Sequence, residues 1–373
     1  MRKDENTKNA FLELVRAGLW EKEARLSQFD NIDYATILQL AEEQSVVGLV
    51  TAGLERVVDV KVPQEWLLQF IGETLQIEQQ NKAMNGFIRE LINQLRGKDI
   101  YTLLVKGQGI AQCYEKPLWR ASGDVDLFLS DDNYSKARNI LLPLGELTEP
   151  EEAAKKHLSL RMGEWIVELH GTLRSGLSYR IDKMLDTIKD DVFYGGNLRS
   201  WNNENTQVFI PSANCDAIYI FTHILQHFYK GGIGLRQICD WCRLLWTYRE
   251  SLNYVLLESR IKKAGLMSEW RTFGAFAVEY LGMPVEAMPM YSSDKKWKRK
   301  AEKICSFIIE VGNFGHNRDM DYYNSKPYVV RKMISMRRRV GDLFRHARIF
   351  PLDSIRFLPN IVYNGVRSAL RGE

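Results

Sequence analysis

The chain has 373 residues, of which 45% are apolar, 26% charged and 11% aromatic, a composition typical of a globular protein with two or three domains. The formal net charge of +4 is small for this length and does not decide the class of partner. The five cysteines have no regular spacing, no apolar leader opens the chain, and no apolar run reaches the ~20 residues of a membrane span. We therefore expect a reduced, cytoplasmic protein rather than a secreted or membrane-spanning one.

Residues 1–97 are predicted to be helical. Apolar residues recur at helical spacing over 11–19 and again over 37–41. A long amphipathic helix is predicted to start at Pro63, which suits a first helical turn, and to stop at Gly97. This region is expected to pack as a helical bundle against the next domain, and a role in binding substrate is the alternative.

Two short strands are predicted in the segment that follows. An apolar run over 101–105 indicates a buried strand, which Lys106 and Gly107 end, and a helix is predicted to begin near Gln108. A second apolar run indicates a strand over 125–129.

The second strand carries two carboxylates at its start, Asp124 and Asp126. Because side chains alternate across a strand, both carboxylates lie on one face. Two like charges at such a short distance repel each other unless a cation lies between them. Together with the glycine turn upstream, the pair predicts a site for a divalent metal ion and a phosphate group.

A β-hairpin with a third acid is predicted further along. The segments HLSLRM and EWIVELH alternate in polarity and are joined by the tight Met162-Gly163 turn. Glu168 and His170 fall on the same face of the second segment. We therefore expect Glu168 to lie on a strand next to the one with Asp124 and Asp126.

The remaining motifs lie in a predicted helical domain, residues 206–325. The stretch before it, 177–205, is mixed and loop-rich, and no element is predicted there. His223 and His227 have the i, i+4 spacing of zinc ligands, but without a third ligand a packed or hydrogen-bonded pair is favoured. Cys239 and Cys242 lie in a predicted helix with no second pair, and are expected to be core thiols.

Three segments together resemble a known family. They are Lys106-Gly107, the run RASGDVDL over 120–127, and VELH over 167–170. They are similar to the bacterial uncharacterised nucleotidyltransferase family of the DNA polymerase β-like superfamily, which is akin to the nucleotidyltransferase toxins of abortive infection. The resemblance implies an α+β fold, in which a small mixed sheet with helices forms a catalytic core over 98–205, inside a mainly helical protein.

The resemblance also implies a reaction and its cofactor. The enzyme would move a nucleoside monophosphate from a nucleoside triphosphate, expected to be ATP, to a hydroxyl or phosphate acceptor and release pyrophosphate. Asp124, Asp126 and Glu168 would hold Mg²⁺, with two ions expected and Mn²⁺ as an alternative. The residues expected to contact the nucleotide are Lys106, Gly107, Gln108, Arg120 and Gly123.

Some of these roles have structural alternatives. Lys106 is otherwise a solvated charge at a strand end, and Arg120 otherwise forms a salt bridge to one of the three acids. His170 either touches the substrate or makes a structural hydrogen bond. The resemblance places His223, Arg236 and Asp240 on the substrate side of the cleft.

The C-terminal segment 326–373 is basic, with eleven lysines and arginines against three acids. Such a run can follow a nucleic-acid backbone or lie on an anionic membrane. The favoured alternative is an amphipathic segment packed on its own domain.

The acceptor is not specified by the sequence, so a small molecule, a protein side chain or an RNA end would each suit the reaction. Two other functions are retained as alternatives: a toxin-like enzyme that modifies RNA, and a nucleotide-binding module without catalytic activity.

Overall fold

The computed structural model describes residues 2–152, 156–313, 328–357 and 359. In this part of the chain, seven strands form one mixed sheet surrounded by helices, so the predicted α+β class is confirmed. The strands are β1 Leu103–Val105, β2 Asp124–Phe128, β3 Glu146–Leu147, β4 His157–Met162, β5 Trp165–His170, β6 Arg199–Asn203 and β7 Thr206–Ile210. The helices are α1 Arg2–Trp20, α2 Tyr34–Glu43, α3 Val47–Leu54, α4 Gln64–Arg96, α5 Gly107–Ala111, α6 Asp131–Leu141, α7 Tyr179–Tyr194, α8 Ala213–Lys230, α9 Leu235–Thr247, α10 Tyr254–Ala264, α11 Met267–Glu279, α12 Lys295–Val311 and α13 Tyr328–Ala347.

The strand order across the sheet is β3-β4-β5-β2-β1-β7-β6. Strand β2 lies at the centre, antiparallel to β1 and parallel to β5. Strands β4 and β5 form the predicted hairpin, in which Met162 pairs with Trp165. The parallel register of β2 and β5 places Asp126 directly beside Glu168.

The two faces of the sheet differ because apolar and polar residues alternate along its strands. One face buries Val125, Leu127, Val167 and Leu169 against apolar side chains of α4 and α6. The opposite face carries the carboxylates of β2 and β5. The covered face therefore anchors these strands and leaves the acidic face turned toward the other helices.

The N-terminal helices pack directly against the segment that leads into β2. A Cβ atom at Gly48 of α3 would collide with the carbonyl oxygen of Trp119, so only glycine permits this approach. Asn81 of α4 donates hydrogen bonds to the carbonyl oxygens of Leu118 and Arg120, both at 2.8 Å. The predicted helical bundle thus supports the entry to the acidic strand.

The expectation of a loop-rich stretch over 177–205 is wrong. This stretch contains helix α7, whose Ile181, Leu185 and Ile188 are buried at helical spacing, and strand β6. Strands β6 and β7 are joined by the turn at residues 204 and 205, so the predicted domain limit at 205 falls inside a hairpin. The domain limits themselves remain a prediction.

The basic C-terminal segment is packed in part. Residues 326, 327, 358 and 360–373 lie outside the described residues. Ile349, Phe350 and Phe357 belong to the main apolar core, as the packed alternative requires. Met333 and Phe344 are not packed on the core, because 66% and 67% of their surface is exposed. Among the described helices, none combines the length and apolar character that a membrane crossing requires.

Candidate active site

Three carboxylates converge on the uncovered face of the sheet. Asp124 and Asp126 share this face of β2, and the register with β5 brings Glu168 beside them. One carboxylate oxygen from each residue lies within 4.8 Å of the other two. Oxygen ligands from carboxylates at this separation are a donor set that suits Mg²⁺.

The three acids repel one another. The charge of Asp126, together with burial, raises the pKa of Asp124 above its ordinary value. Glu168 adds to this repulsion, whereas Lys106 and Arg236 oppose it. A divalent cation among these oxygens would remove the repulsion.

Lys106 is part of the acidic cluster and not a solvated strand end. Its Nζ lies 2.8 Å from Oδ1 of Asp126, and its side chain is largely buried. Burial opposes the charged form, but the negative charge of Asp126 leads the interactions that raise the pKa of Lys106 well above its ordinary value. The backbone of Lys106 has φ +56°, a conformation that costs a non-glycine residue about 1–3 kcal/mol. The local fold tolerates this cost at the residue that carries the ammonium group to the acids.

Two histidines extend the cluster along the hairpin. His170 Nε2 lies 2.7 Å from Asp126 Oδ1 and 3.4 Å from Glu168 Oε2, so its structural hydrogen bond is present. Burial alone would lower the pKa of His170, but its contacts with Asp126 and Glu168 outweigh burial and raise it. His157 Nε2 lies 3.3 Å from Glu168 Oε2. Burial would raise the pKa of Glu168, but hydrogen bonds to the two histidines lower it.

His157 is a site residue that the sequence reasoning missed. The signal was the hairpin itself: a turn that pairs Met162 with Trp165 also pairs His157 with His170, five residues further from the turn on each strand. Counting back from Gly163 would have placed the two imidazoles side by side.

The predicted glycine turn lies against the start of β2. Gly107 has φ +36°, and a Cβ atom there would contact the carbonyl oxygen of Asp124 at 3.5 Å. The side chain of Gln108 is buried and donates a hydrogen bond to Oδ1 of Asn81 at 2.7 Å, so it holds α5 to α4. A Cβ atom at Gly123 would meet nothing within 4 Å. Contact of these three residues with a nucleotide remains a prediction.

Arg120 is paired with an acid, although not with one of the three on the sheet. Its Nε and Nη2 donate to the two oxygens of Asp240 at 3.0 and 2.6 Å. Tyr114 donates to the same carboxylate at 2.8 Å. The buried carboxylate of Asp240 is therefore engaged by protein groups, and the pair ties α9 to the loop before β2.

Arg236 lies close to Arg120 but has a different environment. Its Nη1 donates to the carbonyl oxygen of Ala121 at 2.8 Å, and its Nε is buried without a hydrogen-bond partner. Burial, and then the charge of Arg120, lower the pKa of Arg236. Among the described residues, no carboxylate forms a salt bridge with it. Arg236 is thus a half-buried cation that interacts with the charge of Asp124 but, within the described part of the chain, is not neutralised by a salt bridge.

His223 and His227 form the expected hydrogen-bonded pair, with 2.9 Å between their Nε2 atoms. Burial lowers the pKa of both, to about 4 for His227, so both imidazoles are neutral at pH 7. Within the described residues, neither belongs to a group of three metal-ligating side chains. Cys239 and Cys242 are fully buried, as predicted.

Carboxylates that converge on a mixed sheet beside a largely buried lysine form a group that could bind a divalent metal ion, as in metal-dependent enzymes. The profile of the uncharacterised nucleotidyltransferase family matches residues 30–282, which include every predicted site residue. The chain therefore belongs to this family, as its sequence motifs predicted, and is a nucleotidyltransferase. Neither the curated proteins nor the solved structures compared with the chain gave a match.

Proposed function

We propose that the enzyme transfers a nucleoside monophosphate from ATP to a hydroxyl or phosphate acceptor in the presence of Mg²⁺. An acceptor oxygen bonds to the α-phosphorus, the bond from this phosphorus to the β-phosphate oxygen breaks, and pyrophosphate leaves. The observation that supports the proposal is the convergence of Asp124, Asp126 and Glu168 within 4.8 Å of one another in a chain of this family.

The carboxylates would hold the metal. Asp124 and Asp126 would bind the ion that carries the nucleotide, and Glu168 would complete a second position or orient the acceptor. Bound Mg²⁺ supplies positive charge to the phosphate oxygens that gain charge in the transition state. The repulsion that raises the pKa of Asp124 is a physical reason for the site to take up a cation.

The cations of the chain would neutralise the triphosphate. Lys106 is one, and Arg236 is better placed than Arg120 to be the other. Arg120 is engaged by Asp240 and by Ser122, to whose Oγ it donates at 2.8 Å. Arg236 lacks a carboxylate partner among the described residues, and a phosphate oxygen would satisfy its buried Nε. Arg120 then positions the loop before β2.

The metal assignment is tested with the double substitution Asp124→Asn and Asp126→Asn. Amides keep the shape of the carboxylates but lose the charge that binds Mg²⁺, so we expect Mg²⁺-dependent binding of ATP and nucleotidyl transfer to be lost. Calorimetric titration of Mg·ATP measures the binding. Asp132→Asn, on the exposed start of α6, is the matched control and keeps both. Unchanged Mg²⁺-dependent binding by the double variant would contradict the assignment.

The acceptor class is identified by incubating the enzyme with ATP labelled at the α-phosphate, Mg²⁺ and a cell extract. Label in the small-molecule, protein or RNA fraction names the class. Label in RNA would support the toxin-like alternative. Binding of Mg·ATP with no labelled product in any fraction would instead support a catalytically silent module.

A further inference from the structure

The geometry points to a second metal site, for a transition-metal ion such as Zn²⁺, formed by His157, Glu168 and His170. This group is distinct from the three carboxylates, although the two groups share Glu168. One ligand atom from each of its three residues lies within 4.8 Å of the other two. Metal binding here does not depend on which group the enzyme transfers.

The two distances from the imidazoles to Glu168 match those between ligands of one ion. The two imidazole Nε2 atoms lie 3.3 and 3.4 Å from the same oxygen, Oε2 of Glu168. Ligands at ~2.0–2.1 Å from a tetrahedral Zn²⁺ are about 3.3–3.4 Å apart, because of the tetrahedral angle. Hydrogen bonds between nitrogen and oxygen are usually shorter, about 2.7–3.2 Å. The observed spacing thus fits ligands of one metal ion better than optimal hydrogen bonds.

The donor types indicate the class of metal. Imidazole nitrogen suits zinc and other first-row transition ions, whereas Mg²⁺ prefers oxygen. The carboxylates of Asp124 and Asp126 are an all-oxygen set, so the two groups should prefer different ions. Glu168 has two oxygens, which allows it to serve both groups.

The hairpin builds the group without help from distant elements. His157 pairs with His170 across β4 and β5, and Glu168 is two residues from His170 on the same face. The imidazole rings of the two histidines lie 4.9 Å apart. The side chains of His157 and Glu168 are each 24% exposed, which leaves room for water or substrate at a further coordination position.

Binding would exchange a proton for the metal. His170 Nε2 shares a proton with Oδ1 of Asp126 across 2.7 Å, and a nitrogen that ligates a metal must be free of its proton. The ion therefore displaces this proton to solvent and separates His170 from Asp126. Asp126 Oδ1 would then keep Lys106 Nζ, at 2.8 Å, and have one competitor fewer for the Mg²⁺ of the proposed reaction. This consequence for catalysis rests on the proposed function.

The test uses the full-length protein, treated with EDTA and then dialysed against Zn²⁺ in the presence of excess Mg²⁺ and without nucleotide. We expect the wild type to retain about one Zn²⁺ per chain and to show the visible absorption of a low-symmetry site when Co²⁺ replaces Zn²⁺. His157→Gln should weaken Zn²⁺ binding by about tenfold or more, the scale of a disturbed metal environment. Far-ultraviolet circular dichroism checks that the variant is folded.

Two further variants make the result decisive. Glu168→Gln removes a second ligand and should also lose Zn²⁺, which covers the case in which His157→Gln does not fold. His227→Gln is the matched control, because it removes a histidine outside the group, and should retain the metal. Zn²⁺ retained by both ligand variants, lost only in His227→Gln, or displaced from the wild type by Mg²⁺ would overturn the site. Titration of Mg·ATP with the Asp124→Asn and Asp126→Asn double variant tests the proposed function separately.

Discussion

At the scale of single residues, Asp126 is where opposite charges meet. Its Oδ1 accepts from Lys106 Nζ at 2.8 Å and from His170 Nε2 at 2.7 Å. Asp124, on the same face two residues earlier, is less well compensated, and its pKa is raised. Without a metal ion the cluster therefore opposes folding at Asp124, as expected where a site is built for binding rather than for stability.

The repulsion at Asp124 predicts that Asp124→Asn has opposite effects on thermal stability with and without metal. In EDTA the variant should raise the thermal midpoint by about 1–3 °C, because the amide removes the repulsion with Asp126. In excess Mg²⁺ the wild type should gain stability from binding, and the variant should lack this gain. Differential scanning calorimetry under both conditions measures the midpoints.

The stability difference between Asp124→Asn and the wild type should depend on pH in a defined direction. The pKa of Asp124 is higher in the folded than in the unfolded state, so its ionisation costs stability above the folded pKa. The advantage of Asp124→Asn in EDTA should therefore shrink as the pH falls through that value. The control Asp132→Asn should move neither midpoint. A lower midpoint for Asp124→Asn in EDTA would show that the carboxylate stabilises the metal-free fold.

At the scale of elements, the β4–β5 hairpin determines which side chains meet. Gly163 has φ +62°, whereas Glu164 has no positive φ, which is the pattern of a type II′ turn with glycine first. A slip of one residue would turn His157 to the other face of the sheet. The turn thus controls the spacing of the proposed transition-metal site.

Gly163→Ala is predicted to destabilise the protein by roughly 1 kcal/mol, because an alanine is strained at positive φ. Urea denaturation measures the change. The matched control is Gly72→Ala in the interior of α4, where an added methyl group meets nothing within 4 Å. It should stabilise by up to ~1 kcal/mol through the higher helix propensity of alanine. Equal stability of Gly163→Ala and the wild type would show that the turn does not require glycine.

The same elements show how far the sequence could predict the structure. An apolar run was enough to predict β2, and alternating polarity was enough to predict the hairpin, so the meeting of Asp126 with Glu168 could be expected. Helix α7 was missed although Ile181, Leu185 and Ile188 have clear helical spacing. The pair of Arg120 and Asp240 could not be predicted, because it joins residues 120 positions apart through tertiary packing alone. Local periodicity determines elements, but long-range partners depend on how the elements pack.

At the scale of the whole molecule, the C-terminal segment supports the helix that faces the site. Phe350 packs against Phe228 of α8 with ring centroids 6.0 Å apart, and Phe357 packs against Tyr229 at 4.6 Å. On the same helix, the ring of Tyr219 lies 5.8 Å from the ammonium nitrogen of Lys106. The basic segment is therefore connected to the acidic cluster through α8, whatever its exposed residues bind.

Two phenylalanines of this segment offer a test of its role. Phe350 is 1% exposed and Phe344 is 67% exposed. Phe350→Ala should destabilise the protein by about 3–5 kcal/mol, since it leaves a cavity beside α8. Phe344→Ala should change stability by no more than ~0.5 kcal/mol, because its ring already contacts solvent. Urea denaturation of both variants measures the difference. If Phe350→Ala is as stable as Phe344→Ala, the segment does not support α8.

If Phe344→Ala alone weakens RNA binding at low salt, the exposed part of the segment is a nucleic-acid surface, and the preference for a purely packed segment is wrong.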